Sequence, residues 1–199
     1  MKTDSVEGSG IIKTESRKVS AFTSIDISGS YIVEISSQEA PTLEISADDN
    51  ILPVIITEVR GETLFIYNDK NLYTKTKLKV KASSMKIEKI SASGANILKI
   101  YNLNNETLNI AQSGSSKTEI SGQTKELYIT LSGASNVNAK KLYSQKVKVD
   151  ISGAANADVY ATEELNARVF GAGKVNYYGN PKNVNRTIAG VGLIKNKQI

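Results

Sequence analysis

Residues 127–165, LYITLSGASNVNAKKLYSQKVKVDISGAANADVYATEEL, say nearly the same thing twice. LSGASNVNA and ISGAANADV begin 20 residues apart, at Leu131 and Ile151, each preceded by an alternating apolar run. Outward from this stretch, glycines fall at Gly94, Gly114, Gly133, Gly153, Gly171 and Gly190, with spacings of 20, 19, 20, 18 and 19 residues. With each glycine set at zero, apolar residues recur at −6, −4 and −2, as in Leu127-Ile129-Leu131 and Val147-Val149-Ile151. They recur again at +4 and +6, as in Leu98-Ile100 and Ala157-Val159. Gly29 obeys the same frame, with Ile25 and Ile27 before it and Val33 and Ile35 after it.

Alternation with period two marks half-buried strands. Each unit carries short strands joined at a glycine corner, and one unit cannot bury its apolar face alone. Stacked copies bury it continuously, which is the logic of a solenoid. The sequence therefore predicts an all-β fold, a parallel β-helix with coils of 19–20 residues. Gly94, Gly114, Gly133, Gly153, Gly171 and Gly190 are its corners, where φ is positive or neighbouring coils crowd the backbone. Asn96, Asn136 and Asn156 follow three of them, and asparagines stacked coil on coil can share amide hydrogen bonds.

The N-terminal third is less regular. Residues 1–18 read as a flexible lead into the first strand, and 19–199 as a single β-helix domain with regular coils from about residue 78. Within ADDNILPVIITEV, one helical turn capped by Asp48 or Asp49 is expected, limited in length by Pro53.

Composition excludes several kinds of chemistry. Of 199 residues 40% are hydrophobic and 23% charged, as in a folded protein, while 6% are aromatic and none is Trp, so Ile, Leu, Val and Ala must fill the core. The chain has no Cys and no His, which removes thiol nucleophiles, disulfides, imidazole bases and the usual zinc ligands. The net charge of +5 is scattered rather than gathered into a basic stripe, so nucleic acid is not an expected partner. No apolar run reaches the ~18 residues of a membrane helix. The first residues, MKTDSVEGSGIIKTESRKV, lack the apolar region of a signal peptide, which leaves a cytoplasmic protein or a mature form without its export segment.

The ordered series VEGSGIIKTESRKVSAFTSIDISGSYIVEIS (6–36), LEISADDNILPVIITEVRGETLFIY (43–67), the repeated SGA-N corners and GAGKVNYYGNPKNV (171–184) resembles the bacterial head GIN domain, a family labelled putative auto-transporter adhesin. The resemblance runs from about Glu7 to the C-terminus. It implies a right-handed β-helix exported to the cell envelope, periplasmic or at the cell surface, behind a lipoprotein or secretory signal that is missing here. Membrane attachment would then come only through that removed signal or a lipid anchor. The family supplies no catalytic residues to carry over. The corner at Gly114 departs from the pattern, reading SGSSK without the asparagine.

β-Helices also host polysaccharide lyases and hydrolases, which need converging carboxylates. The repeat frame instead sets Lys99 beside Glu119 and Asp150 beside Arg168 as ion-pair columns, leaving only Asp158 unmatched. No calcium or phosphate motif occurs, and no metal or cofactor is expected. Gln112 and Arg186 fall on core positions; the first is expected to bond the backbone or the Ser116 corner, the second to reach the rim of an open last coil. Tyr101, Tyr160 and Tyr178 share the outward +7 position, with Ser121 and Lys140 in the coils between. Tyr101, Lys140, Tyr160 and Tyr178 are thus the candidate ligand face, since tyrosine rings beside a cation suit a sugar or a partner protein. The functional reading is a non-enzymatic, adhesin-like envelope protein that binds a glycan or a surface protein, with homo-oligomerisation possible. A polysaccharide-active enzyme and a purely structural envelope module are the alternatives.

Overall fold

A computed structural model describes residues 5–198. It is built from β1 (Ser5–Glu7), β2 (Ile12–Ser16), β3 (Ser24–Gly29), β4 (Ile32–Ser37), β5 (Thr42–Asp48), a 3-10 turn (Leu52–Val54), β6 (Ile55–Arg60), β7 (Thr63–Asn68), β8 (Asn71–Tyr73) and β9 (Lys79–Ser84). Then come β10 (Lys89–Gly94), β11 (Ile97–Gly114), β12 (Lys117–Gly133), β13 (Asn136–Gly153), β14 (Asn156–Gly171), β15 (Lys174–Tyr178), β16 (Asn183–Gly190) and β17 (Leu193–Asn196). There is no α-helix among the described residues.

The glycine frame is the frame of a β-solenoid. Its first side stacks β3, β10, the second halves of β11 to β14, and β16, all parallel. Its second side stacks β4, the first halves of β11 to β14, β15 and β17. A third side runs through the middles of the long strands, around residues 103–107, 122–126 and 142–146. The predicted alternation points inward: Leu127, Ile129, Leu131, Val147, Val149, Ile151, Leu165, Ala167 and Val169 are all at most 2% exposed. Each fully buried Val, Leu or Ile contributes roughly 1.5–3 kcal/mol, which is what holds one coil to the next.

At the corner between the first and second sides, the Gly133 carbonyl accepts a hydrogen bond from the Ala154 N–H at 2.9 Å, and the Gly153 carbonyl accepts one from Ala172 at 3.0 Å. Gly153 has φ +113°, and a Cβ there would lie 2.7 Å from the Gly133 oxygen. Both the conformation and the close carbonyl demand glycine. Two residues past the glycine runs a buried polar column. The Tyr31 N–H donates to Asn96 Oδ1 at 3.0 Å, the Asn96 N–H to Ser116 Oγ at 3.3 Å, and the Ser116 N–H to Ser135 Oγ at 3.3 Å. Asn96 therefore belongs to an inner seam, whereas Asn136 and Asn156, one position further on, form the outer amide ladder, Asn156 Nδ2 donating to Asn136 Oδ1 at 2.8 Å. The three asparagines, which the sequence makes look equivalent, do two different jobs.

Gln112 bonds neither the backbone nor Ser116. Its amide donates to Thr118 Oγ1, also buried, so two polar residues on facing core positions satisfy each other in part. The Oε1 of Gln112 has no partner.

The N-terminal end is less regular than the coils that follow, as the sequence leads one to expect. Between the first coil and the second, residues 38–88 leave the solenoid and return, so that Gly29 pairs with Gly94. The excursion builds a cap. β7 adds in parallel to β3, and β6 pairs antiparallel with β7. On the second side β9 adds in parallel to β4, followed by β5 and β2, both antiparallel. The expected flexible lead is corrected for residues 5–16, which carry β1, paired with β8, and β2; residues 1–4 lie outside the described residues. The residues that order it are the acids expected to cap a helix. The short turn at Leu52–Val54 has no side-chain cap. Instead the carboxylate of Asp48, 0% exposed, accepts hydrogen bonds from the Gly10 N–H and Thr76 Oγ1, each at 2.9 Å, and from Thr74 Oγ1. Asp49 accepts from Ser9 Oγ at 2.6 Å, and Asn50 accepts from the Ser9 N–H at 2.9 Å. Arg17 closes the other end of the turn, donating to the carbonyls of Leu52 at 2.8 Å and Ile55 at 2.6 Å. Non-alternating polar sequence hid these strands, because their order comes from hydrogen bonds to acids far along the chain.

Two expectations follow. Replacing Gly153 with Val should destabilise the protein by about 1–3 kcal/mol through backbone strain alone; a thermal melt that matches the parent would remove the corner role assigned to Gly153. The hydrogen bond from Thr74, then those from Thr76 and Gly10, hold the Asp48 carboxyl below its ordinary range despite its burial. A depressed carboxyl stabilises the fold above its unfolded pKa, and that contribution is lost as pH falls through the folded value. The melting-temperature gap between the parent and Asp48→Asn should therefore be full near pH 6 and shrink as pH drops below about 4. A gap that stays constant with pH would show that Asp48 is not held as a carboxylate.

Candidate functional site

Coils differ in length, and the differences are absorbed where the second side turns into the third and, between β13 and β14, again at Ser144 to Lys146. The pairing of β11 with β12 shifts between Ile100 and Leu103, that of β12 with β13 between Glu119 and Ser121, and that of β13 with β14 between Ala139 and Tyr143. A fixed offset from glycine holds up to +6 and fails beyond it. Ser121 pairs with Lys141 rather than Lys140, and Lys140, Lys141 and Leu142 are extra residues between the pairs Ala139–Val159 and Tyr143–Tyr160. The +7 column therefore splits in two. Tyr101, 40% exposed, lines a groove of about 280 Å³ together with Lys140, Glu119 and Asn138. Tyr160 and Tyr178 remain paired one coil apart, but on a different column.

That column runs Asn104–Gln123–Tyr143–Tyr160–Tyr178, each residue the backbone partner of the next. At ~4.8 Å per strand the five positions span roughly 19 Å of the solenoid axis. Gln123 Nε2 donates to Asn104 Oδ1 at 3.1 Å, so the two amides form a short ladder. The rings of Tyr143 and Tyr160 meet edge to face, with centroids 4.9 Å apart and planes at 77°. Tyr143 is 58% exposed, while Tyr160 and Tyr178 are half-buried. Beside the column lies a groove of about 490 Å³ whose wall includes Asn105, Thr124, Gln145 and Thr162, with an ion pair between Lys125 and Glu106 at 2.7 Å. Amides, hydroxyls and ring faces along one line supply what a polyhydroxylated chain needs: planar apolar surfaces for its C–H faces and paired donors and acceptors for its hydroxyls.

Tyr143, Asn104 and Gln123 were not among the residues the repeat frame selected. A signal was present: in KKLYSQK, alternation around the apolar Leu142 puts Tyr143 outward. Leu142 is indeed 0% exposed. Counting from the preceding glycine concealed it, since the extra corner residues move Tyr143 onto the level of Tyr160.

The acids are engaged one by one. Lys99 and Glu119 are in register, yet Glu119 pairs with Lys117 at 3.5 Å. Arg168 Nε lies 3.8 Å from Asp150, as the column predicts. Asp158, unmatched in the repeat frame, accepts a hydrogen bond from Asn176 Nδ2 at 2.6 Å. Among the described residues no three His, Cys, Asp or Glu side chains gather as a metal-ligand group, and no helix is long and apolar enough to cross a membrane.

A family model described as "Putative auto-transporter adhesin, head GIN domain" matches residues 21–181. A putative adhesin from Bacteroides fragilis is 25% identical, with 96% of this chain and all of that one covered and a TM-score of 0.76. A putative adhesin from Parabacteroides merdae is 20% identical over 98% of this chain and 99% of its own, with a TM-score of 0.61. A putative lipid binding protein from Parabacteroides distasonis is 23% identical over 97% and 99%, with a TM-score of 0.58. The last two speak to the fold alone. Comparison with curated proteins finds no match.

Proposed function

This chain belongs to the head GIN domain family of putative auto-transporter adhesins, and from that membership we propose that it is a non-enzymatic binding protein of the bacterial cell envelope whose ligand is a glycan chain. The observation that carries the reading is the Asn104–Gln123–Tyr143–Tyr160–Tyr178 column. Its repeat of ~4.8 Å is set by strand spacing and is close to the length of one sugar ring along an extended chain. Successive units of a linear glycan can therefore meet successive side chains, rings toward one end and amides toward the other. The solenoid supplies rigidity, because Gln123, Tyr143 and Tyr160 are each fixed by parallel pairing on both sides. Preorganised side chains lose little conformational freedom on binding, so a shallow, open face can still hold a flexible ligand. The family description favours the cell surface or envelope as the place of action.

The test is a glycan array probed with the parent chain and with the Tyr143→Ala/Tyr160→Ala variant. Each lost ring face is expected to weaken binding by about 1 kcal/mol, so the double variant should bind at least tenfold more weakly. Its melting temperature should change little at Tyr143, which is exposed. A bound glycan whose affinity is unchanged in the double variant would reject the column as the site. Binding to surface proteins but to no glycan would reject the ligand class.

A further inference from the structure

The two ends of the solenoid are built differently. At the N-terminal end the outer strands β2 and β6 carry both signs of charge, already matched: Lys13 with Asp49 at 3.6 Å and Arg60 with Glu58. At the C-terminal end β16 pairs with β14 alone and β17 with β15 alone, so each presents a row of N–H and C=O groups with no strand beside it among the described residues. The core is cut open there. Ile188 is in register with Val169, which is 0% exposed, yet Ile188 is 46% exposed because among the described residues no further coil covers it. Val191, at the last corner, is 85% exposed. Arg186, on a core position, folds over the ring of Tyr177, with its guanidinium carbon 5.2 Å from the centroid and a hydrogen bond to the Tyr177 hydroxyl. The rim expected from the sequence is there, and Arg186 is its partial lid.

Charge marks the same end. No Asp or Glu follows Glu164, whereas Arg168, Lys174, Lys182, Arg186, Lys195 and Lys197 all do. An open sheet edge, an uncovered apolar row and a last coil whose charged side chains are all cationic coincide. We propose that this end is a docking edge for an extended acidic segment of a partner protein, which adds as a strand alongside β16. Apolar residues of such a segment would cover Ile188, and its carboxylates would be drawn by the exposed Lys182 and Lys195. Strand addition supplies affinity through main-chain hydrogen bonds, and alternate side chains supply selectivity. A second copy of the chain placed end to end through this coil would set like charges against each other. A lipid surface would leave the unpaired backbone groups of β16 facing hydrocarbon, which is costly.

The experiment titrates the full chain with two fluorescein-labelled octapeptides, one alternating Val and Glu and one alternating Val and Lys. Hydrogen exchange is followed along residues 183–196. The expected result is saturable binding of the Val-Glu peptide only, weakened by salt, with slowed exchange in β16. Lys182→Glu/Lys195→Glu, both exposed and so expected to keep the parent's melting temperature, should weaken that binding at least tenfold. Equal binding of both peptides, or binding without protection of β16, would overturn the proposal. So would binding of neither peptide at millimolar concentration. Sedimentation of the chain with vesicles of phosphatidylglycerol and phosphatidylcholine, without peptide binding, would replace the acidic segment with a membrane surface. Self-association through β16 without peptide binding would replace it with a second copy.

Discussion

One contact sets the geometry of the whole solenoid: the carbonyl of each corner glycine sits where the next coil's glycine would otherwise carry a side chain. Gly153 rests against the Gly133 oxygen, and Gly171 rests against the Gly153 oxygen at the same 2.7 Å from where a Cβ would be. Because that approach fixes the height and phase of each turn, the −6, −4 and −2 positions fall on top of their equivalents and stack into continuous apolar rows. The hydrophobic effect supplies most of the stabilisation but is non-directional. The glycine contact and the hydrogen-bonded column through Asn96, Ser116 and Ser135 give it register.

The opposite corner is where the structure tolerates variation. Extra residues there, such as Lys140 to Leu142, leave the second side in register, and the third side takes up the remainder with a further shift between Ser144 and Lys146. The outward residues around it are therefore free to change without cost to the core, and it is there that the exposed tyrosines and amides gather. A rigid corner and a forgiving one in the same turn divide the work between holding the shape and presenting chemistry.

The first two sides were legible in the sequence because glycine spacing and period-two alternation report directly on burial. The corner residues Gly94 to Gly190 stand where the frame puts them, and six of their φ angles are positive. Three things were not legible. The split between Asn96 and the pair Asn136 and Asn156 depends on a single position along a corner, which composition does not distinguish. The placement of Tyr143 depends on residues inserted at a bulge, which a count from one glycine cannot register. The cap built by β2, β5, β6, β7 and β9 depends on Asp48, Asp49 and Asn50 reaching back to residues 7–10, some 40 positions earlier. Polar tertiary contacts of that kind leave no periodic trace. Their neighbours in sequence point only to local helix caps, because local chemistry is all that neighbouring residues reveal.

The excursion of residues 38–88 also bears on how the chain reaches this shape. From the second coil onward, each turn closes a loop of about one coil length onto the turn before it, a contact order little above that of a hairpin. Bringing Gly94 onto Gly29 closes a loop of 65 residues, the separation that Ser30 and Ala95 also bridge. Loop closure costs entropy that grows with length, and here no apolar stack exists to offset it until the cap strands are in place. The most costly closure in chain entropy therefore lies at the N-terminal end, while each regular turn closes only about one coil length and can stack on its neighbour without it.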